Sequence, residues 1–321
     1  MSESSNSLSV VVGGTVAIDN VKTPGSEAEN LLGGSAAYAA LASSFYCPSV
    51  HLVGIVGKDF PAEHLSMLEA RGISLDGIER SEGDSFTWSG EYMENMNERV
   101  THRVGLNVLE SWEVKVPAPA NQSEIVVLAN MSPDNQLQML EQCKAASSFV
   151  IADTMDLWIE IANERLHEVL KQLDLFVINE SEARDFAKTS NLVEAGRRLL
   201  EKGPRYVVIK LGEFGAMLFG RREGAIPDEL CADSFFRCAA FPLSEISDPT
   251  GAGDTFLGAI AGHLAAAGER NPSFESIRQA VVQGSVLASY TCEAFSTKRL
   301  EGLSRNDLDA RLAAFRQMSS W

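Results

Sequence analysis

Seven residues, Asp248-Pro-Thr-Gly-Ala-Gly-Asp254, set three small residues and a carboxylate at the start of a helical segment. Small residues ahead of a helix let several backbone N–H groups converge on one point, and the helix N-terminus adds partial positive charge there. Gly251, Ala252 and Gly253 therefore read as an anion hole suited to phosphate oxygens. Asp254 then stands beside a cradle for anions, where its own charge repels a phosphate. The conflict disappears if a hydroxyl lies between them. A hydroxyl attacking a phosphoryl group must lose its proton as the new P–O bond forms, and a carboxylate within reach accepts it. The helix start favours an ionised Asp254, which that task requires. The plainer alternative needs no ligand: glycines turn the chain and an acid complements the helix dipole.

The elements that must position these residues follow a regular order. Short Val- and Ile-rich runs at 7–14, 50–57, 124–130, 148–153, 174–179, 205–212 and 215–220 read as strands buried on both faces of a parallel sheet. Between them lie helical segments at about 34–45, 60–71, 134–146, 158–171, 181–188 and 192–202. Helices at 254–267, 274–291 and 304–318 fill the final third, the first with an apolar stripe of Phe256, Ile260 and Leu264. This alternation predicts an α/β fold with a doubly wound, mostly parallel sheet flanked by helices, as one domain over 1–321. Two polar stretches without helical period, about 15–32 and 84–116, read as β-rich excursions forming a small lid; surface loops are the alternative.

Composition narrows the function. A net charge of −17 leaves no excess of Lys and Arg for a general nucleic-acid binder. Five scattered cysteines without a CxxC spacing point to reduced thiols in the cytosol. The polar start shows no signal peptide, and the apolar runs are far short of a membrane span, so a soluble cytoplasmic protein is expected. The histidines (His51, His64, His102, His167 and His263) fall at no metal-ligand spacing, so no transition metal is expected. GIVGKD at 54–59 lacks the spacer and Ser or Thr of a phosphate-binding loop, and VVVGGTVAID at 10–19 is not a dinucleotide fingerprint.

Asp248–Asp254 resembles the D-x-T-G-A-G-D signature of the ribokinase-like (PfkB) family of carbohydrate and nucleoside kinases, and further matches follow in the family's order over nearly the whole chain. Leu32–Ala40 with Val53–Phe60 is similar to its N-terminal signature region. The resemblance implies an ATP-dependent kinase that uses Mg2+ and phosphorylates an alcohol group of a small molecule, with Asp254 as general base. It implies that Asp19, Gly33 and Gly34 meet the acceptor. Asn179 and Glu182 match an N-x-x-E element associated with magnesium and phosphate, although Asn179 as helix cap and Glu182 as its capping-box partner is the structural alternative. Lys210, Gly212 and Gly215 match a nucleotide-contacting turn in which Thr is common where Lys210 stands. Asp248 and Thr250 match positions where some relatives hold a monovalent cation such as K+; a turn before Pro249 explains them nearly as well. Tyr38 replaces an Asn that contacts sugar in many members, and its ring is expected to stack on a sugar face or a base. A sugar, polyol or sugar derivative is the leading acceptor, with a nucleoside second and a catalytically silent ligand-binding member third. The lid carries Trp88, Tyr92, Arg99 and Arg103, which face either the acceptor or a second subunit, and a homodimer through the lid is implied.

Overall fold

Runs of apolar residues too short for helices pair side by side, and in the computed structural model, which describes residues 7–143, 148–221, 231 and 234–319, they do so in two sheets. In chain order the strands are β1 (Val10–Gly13), β2 (Ala17–Thr23), β3 (Ser26–Gly33), β4 (Val50–Val56), β5 (Ile73–Arg80), β6 (Phe86–Tyr92), β7 (Arg99–Gly105), β8 (Ile125–Leu128), β9 (Phe149–Ala152), β10 (Leu175–Asn179), β11 (Tyr206–Lys210), β12 (Ala216–Gly220) and β13 (Phe235–Cys238). The large sheet runs β13-β12-β11-β10-β9-β8-β1-β4-β5, and the small one β3-β2-β6-β7. Pairing in the large sheet is parallel except at β11–β12 and β12–β13. All seven expected runs become strands of this sheet. Its two edge strands, β5 and β13, have no such run. β5 buries little more than Ile73 and Gly77, so its sequence carries polar residues a central strand would exclude.

Side chains alternate between two cores. Val10 and Val12 join one apolar cluster, while Val11 joins the other on the opposite face. The first is closed by helices Ser35–Ser44, Ala252–Ala267 and Phe274–Thr291, the second by Pro133–Gln142, Asn163–Leu170, Glu180–Ala187 and Leu192–Glu201. Helix Ala252–Ala267 is more than a one-sided stripe. It is buried on most sides, between helices rich in small residues, and Ser43 Oγ donates to the carbonyl of Gly258 at 2.8 Å. The expected helix at 158–171 is two, Asp156–Ile161 and Asn163–Leu170, broken at Ala162. The expected helix at 134–146 runs Pro133–Gln142, and 144–146 lie outside the described residues.

The small sheet holds both polar excursions but with different limits. β2 and β3 pair as a hairpin, β2 also pairs with β6 in parallel, and β6 and β7 form a second hairpin. Residues 107–116 leave it. Trp112, Val114 and Val116 are buried in the second core, because their apolar side chains have a better partner there than at a sheet edge.

Candidate active site

The carboxyl ends of β9, β10 and β11 form one crest, where open parallel sheets gather ligands. Asp153 follows β9, Asn179 closes β10, and Lys210 closes β11 in register with Asn179. Helix Ala252–Ala267 starts facing this crest, with Gly251 as its N-cap at φ 77°. That left-handed conformation is one L side chains resist, so glycine sets the turn, within which the Ala252 N–H donates to the Pro249 carbonyl at 3.2 Å. The Lys210 ammonium reaches the same turn: a Cβ on Gly253 would sit 2.9 Å from its Nζ.

Asp254 lies in the first turn of that helix, largely enclosed yet with a partly open face. Burial pushes its pKa above the ordinary carboxylate value, while the charges of Lys210 and Arg99 pull it down. The expectation that the helix start alone keeps it ionised omitted desolvation. Two nearby cations offset part of it. The charge of Asp254 in turn raises the pKa of the buried Asp153 on the crest and of Asp19 on the opposite side. It therefore stands between the crest and strand β2 of the small sheet.

On one side is a cavity of about 670 Å³, lined by Lys210, Glu182, Gly212, Gly215, Ala252 and Gly253, among others. Phe241, Pro242, Leu243, Ile246, Phe256 and Ala288 also line it and give it an apolar portion. Asn179 and Glu182 form the reciprocal capping box. Asn179 Oδ1 accepts the Glu182 N–H at 2.9 Å, and Glu182 Oε2 accepts the Asn179 N–H at 3.0 Å. Glu182 is nonetheless buried beside Lys210 at the cavity, with its pKa raised by desolvation, so the cap also fixes a carboxylate at the crest.

On the other side is Asp19, in the middle of β2 and 5% exposed. Its pKa is raised to about 8, first by burial and then by the charges of Asp248 and Asp254, against the N–H of Gly34. Its Oδ1 has no hydrogen-bond partner among the described residues. Gly33 lies directly against this carboxylate, and a Cβ there would overlap it.

Asp248 ties the turn to the chain's other half. Its Oδ1 accepts the Thr250 N–H at 2.8 Å and its Oδ2 the Ser296 N–H at 3.2 Å, while Ser296 Oγ donates to the Leu32 carbonyl at 2.6 Å. Thr250 Oγ1 donates to the Tyr92 hydroxyl of the small sheet at 3.3 Å.

Tyr38 corrects one expectation. Its ring is 2% exposed and packs against Gly251, so closely that a Cβ there would overlap it, with its hydroxyl beside Ser296. The ring supports the turn, in a helix Ser35–Ser44 buried along nearly its whole length, and presents no open face to solvent. Asp153 was missed by the sequence reading. It is 4% exposed, its Oδ1 lacks a partner, and burial raises its pKa well above the ordinary value against the pull of Lys210. The available signal was its place as the acid ending the SFVIAD strand, at the carboxyl edge of a parallel sheet.

A glycine turn at a helix start, a lysine across it and a carboxylate beside it stand at the ligand edge of this sheet, and the protein is a kinase of ribokinase-like α/β fold, a phosphotransferase with an alcohol group as acceptor. The chain belongs to the pfkB family of carbohydrate kinases, whose model matches residues 7–301. It is 27% identical over 276 residues to a cytidine kinase of Thermococcus kodakarensis, covering 84% of this chain and 92% of that protein. Among solved structures, a Burkholderia thailandensis nucleoside kinase in complex with inosine superposes with a TM-score of 0.75 at 17% identity, covering 97% of this chain and 98% of that one. An E. coli protein assigned as a ribokinase II, in complex with ATP and Mg2+, does so with a TM-score of 0.75 at 18% identity, covering 97% and 99%. Among the described residues no helix is long and apolar enough to cross a membrane.

Proposed function

We propose that this protein phosphorylates a hydroxyl of a nucleoside at the expense of ATP. The observation that carries the phosphotransfer is the position of Asp254, beside the Gly251–Gly253 turn and within charge reach of Asp19. The acceptor binds on the Asp19 and Gly33-Gly34 side, under the small sheet acting as lid. Asp19, protonated near neutral pH, donates to one acceptor oxygen. The donor lies in the 670 Å³ cavity, its base in the apolar portion and its phosphates toward Lys210 and the cradle. The acceptor oxygen attacks the terminal phosphorus, the bond to the bridging oxygen breaks, ADP leaves, and Asp254 takes the hydroxyl proton. Backbone N–H groups of the cradle stabilise charge on the transferred group.

Magnesium fits the acidic residues of the crest. Asp153 has an orphaned, buried carboxylate oxygen within charge reach of Glu182, which lines the cavity, and Mg2+ is commonly held by one or two carboxylates together with substrate phosphates. Bound there it would neutralise phosphate charge. Asp248, whose oxygens both accept backbone N–H groups, is assigned to the turn and not to a potassium ion.

The choice of a nucleoside over a free sugar, the acceptor first favoured by the sequence, is supported by the match to the cytidine kinase over nearly all of its length. A 30% match to an Arabidopsis thaliana ribokinase, over 43% of this chain, favours the second reading, a free pentose. Incubation with Mg·ATP and a panel of nucleosides, ribose and other sugars, following ADP release, separates the two. Nucleoside-dependent ADP is expected. ADP formed only with free sugars overturns the acceptor assignment, and no acceptor-dependent ADP overturns the catalytic one.

A further inference from the structure

The hairpin of β6 and β7 reaches the donor cavity as well as the acceptor side. Tyr92, Asn95, Met96, Asn97 and Arg99 line the same cavity as Lys210 and Gly253. Its tip is held in shape by Asn95, whose Oδ1 accepts the N–H groups of Asn97 and Glu98 at 3.1 and 3.0 Å. From that tip Asn97 Nδ2 donates to Glu213 Oε1 at 3.4 Å, on the Gly212–Gly215 turn of the large sheet. Beside that tip Tyr92, the last residue of β6, accepts through its hydroxyl from Thr250, one residue ahead of the cradle. The tip of the hairpin is thus fastened to two turns of the large sheet's crest, one at Gly212–Gly215 and one at Thr250.

Between these fasteners sits Arg99, the first residue of β7 and opposite Tyr92 in register. It is solvent-exposed, its guanidinium lies 5.9 Å over the Trp88 ring, and no carboxylate lies within ion-pair distance of it among the described residues. Its charge reaches both Asp254 and Glu182. A guanidinium that hydrogen-bonds the neighbouring Tyr92 and faces a cavity lined by Lys210 and Gly253, with Asp156, Glu182 and Glu213 also at its wall, presents a fork that matches phosphate oxygens bidentately.

We propose that Arg99 is a catalytic residue that the hairpin delivers to the terminal phosphate of the donor, with Asn97–Glu213 and Tyr92–Thr250 as the contacts that hold it there. The small sheet then couples two events. Closing over the acceptor also completes the cationic side of the phosphate site, so the terminal phosphoryl group is fully held only when the sheet is down.

This rests on the phosphotransfer reading of the same cavity, and binding without acceptor separates the two. Affinities of the full chain for Mg·ATP, Mg·ADP and adenosine are compared for the parent, Arg99→Gln and Arg99→Lys by calorimetric titration. Arg99→Gln is expected to weaken ATP binding about ten- to hundredfold, the loss of a charge-assisted pair. ADP is weakened less and adenosine not at all, and Arg99→Lys recovers part of the ATP loss. Unchanged melting of Arg99→Gln shows that the fold is intact. Equal loss for all three ligands, or no loss for ATP, overturns the proposal while leaving the kinase reading standing. A parent chain that binds no ATP overturns both.

Discussion

Asp19→Asn reads the site without knowledge of the acceptor. The Asp19 carboxyl is closed off from water, and its pKa is raised from 3.8 to about 8, by burial first and then by Asp248 and Asp254. Between those values the folded protein keeps a proton that the unfolded chain has released. Stability therefore falls as pH rises from about 4, and the penalty is complete above about pH 8. At about 1.4 kcal/mol per pKa unit, a span of about four units sets a ceiling near 6 kcal/mol. Water entering beside the ionised group, and local rearrangement, reduce the effective cost to roughly 2–4 kcal/mol. Asparagine keeps the outline of the protonated acid and cannot ionise. The variant should melt close to the parent near pH 4 and increasingly above it as pH rises. At roughly 2 °C per kcal/mol for a chain of this size, the difference in Tm should widen by about 3–6 °C between pH 5 and pH 9. Scanning calorimetry on both proteins, without ligands, measures it. A difference independent of pH would refute the reasoning, because it would mean that Asp19 titrates as an ordinary carboxylate in the folded protein.

Three further outcomes are expected. Asp254→Asn should lower turnover roughly 10²–10⁴-fold, the usual scale for a general base, while ATP affinity by titration stays the same or improves; undiminished turnover removes Asp254 from the mechanism. Gly33→Ala, whose Cβ meets the Asp19 carboxylate, should raise the KM for the acceptor at least about tenfold, on the scale of a lost hydrogen bond to a charged or buried group, with ATP binding unchanged; steady-state kinetics in both substrates tests this. Gly251→Ala should lower Tm by several degrees, because the left-handed φ alone costs about 1–2 kcal/mol and the Tyr38 ring must move as well; melting equal to the parent would show that neither constraint holds.

The features legible beforehand share one property. The cradle at Gly251–Gly253, the acid after it and the Asn179–Glu182 box all lie within a few residues, where backbone geometry relates residue type to shape. The seven central strands were equally plain, because burial on both faces forces an unbroken apolar run. Edge strands β5 and β13 were not, since one open side relaxes that demand. Tyr38 misled for a related reason: its type suits a ligand face and a helix interface equally well, and only packing decides.

By itself, then, the order of residues specified the sheet's centre, the glycine turn at the helix start and its neighbouring acid, all products of short-range conformational rules. Folding alone could bring Asp153, Lys210 and Arg99 around Asp254 from strands remote in the chain, and seal Asp19 away from water. Desolvation and through-space charge depend on what is packed alongside a group. No spacing along the chain encodes that.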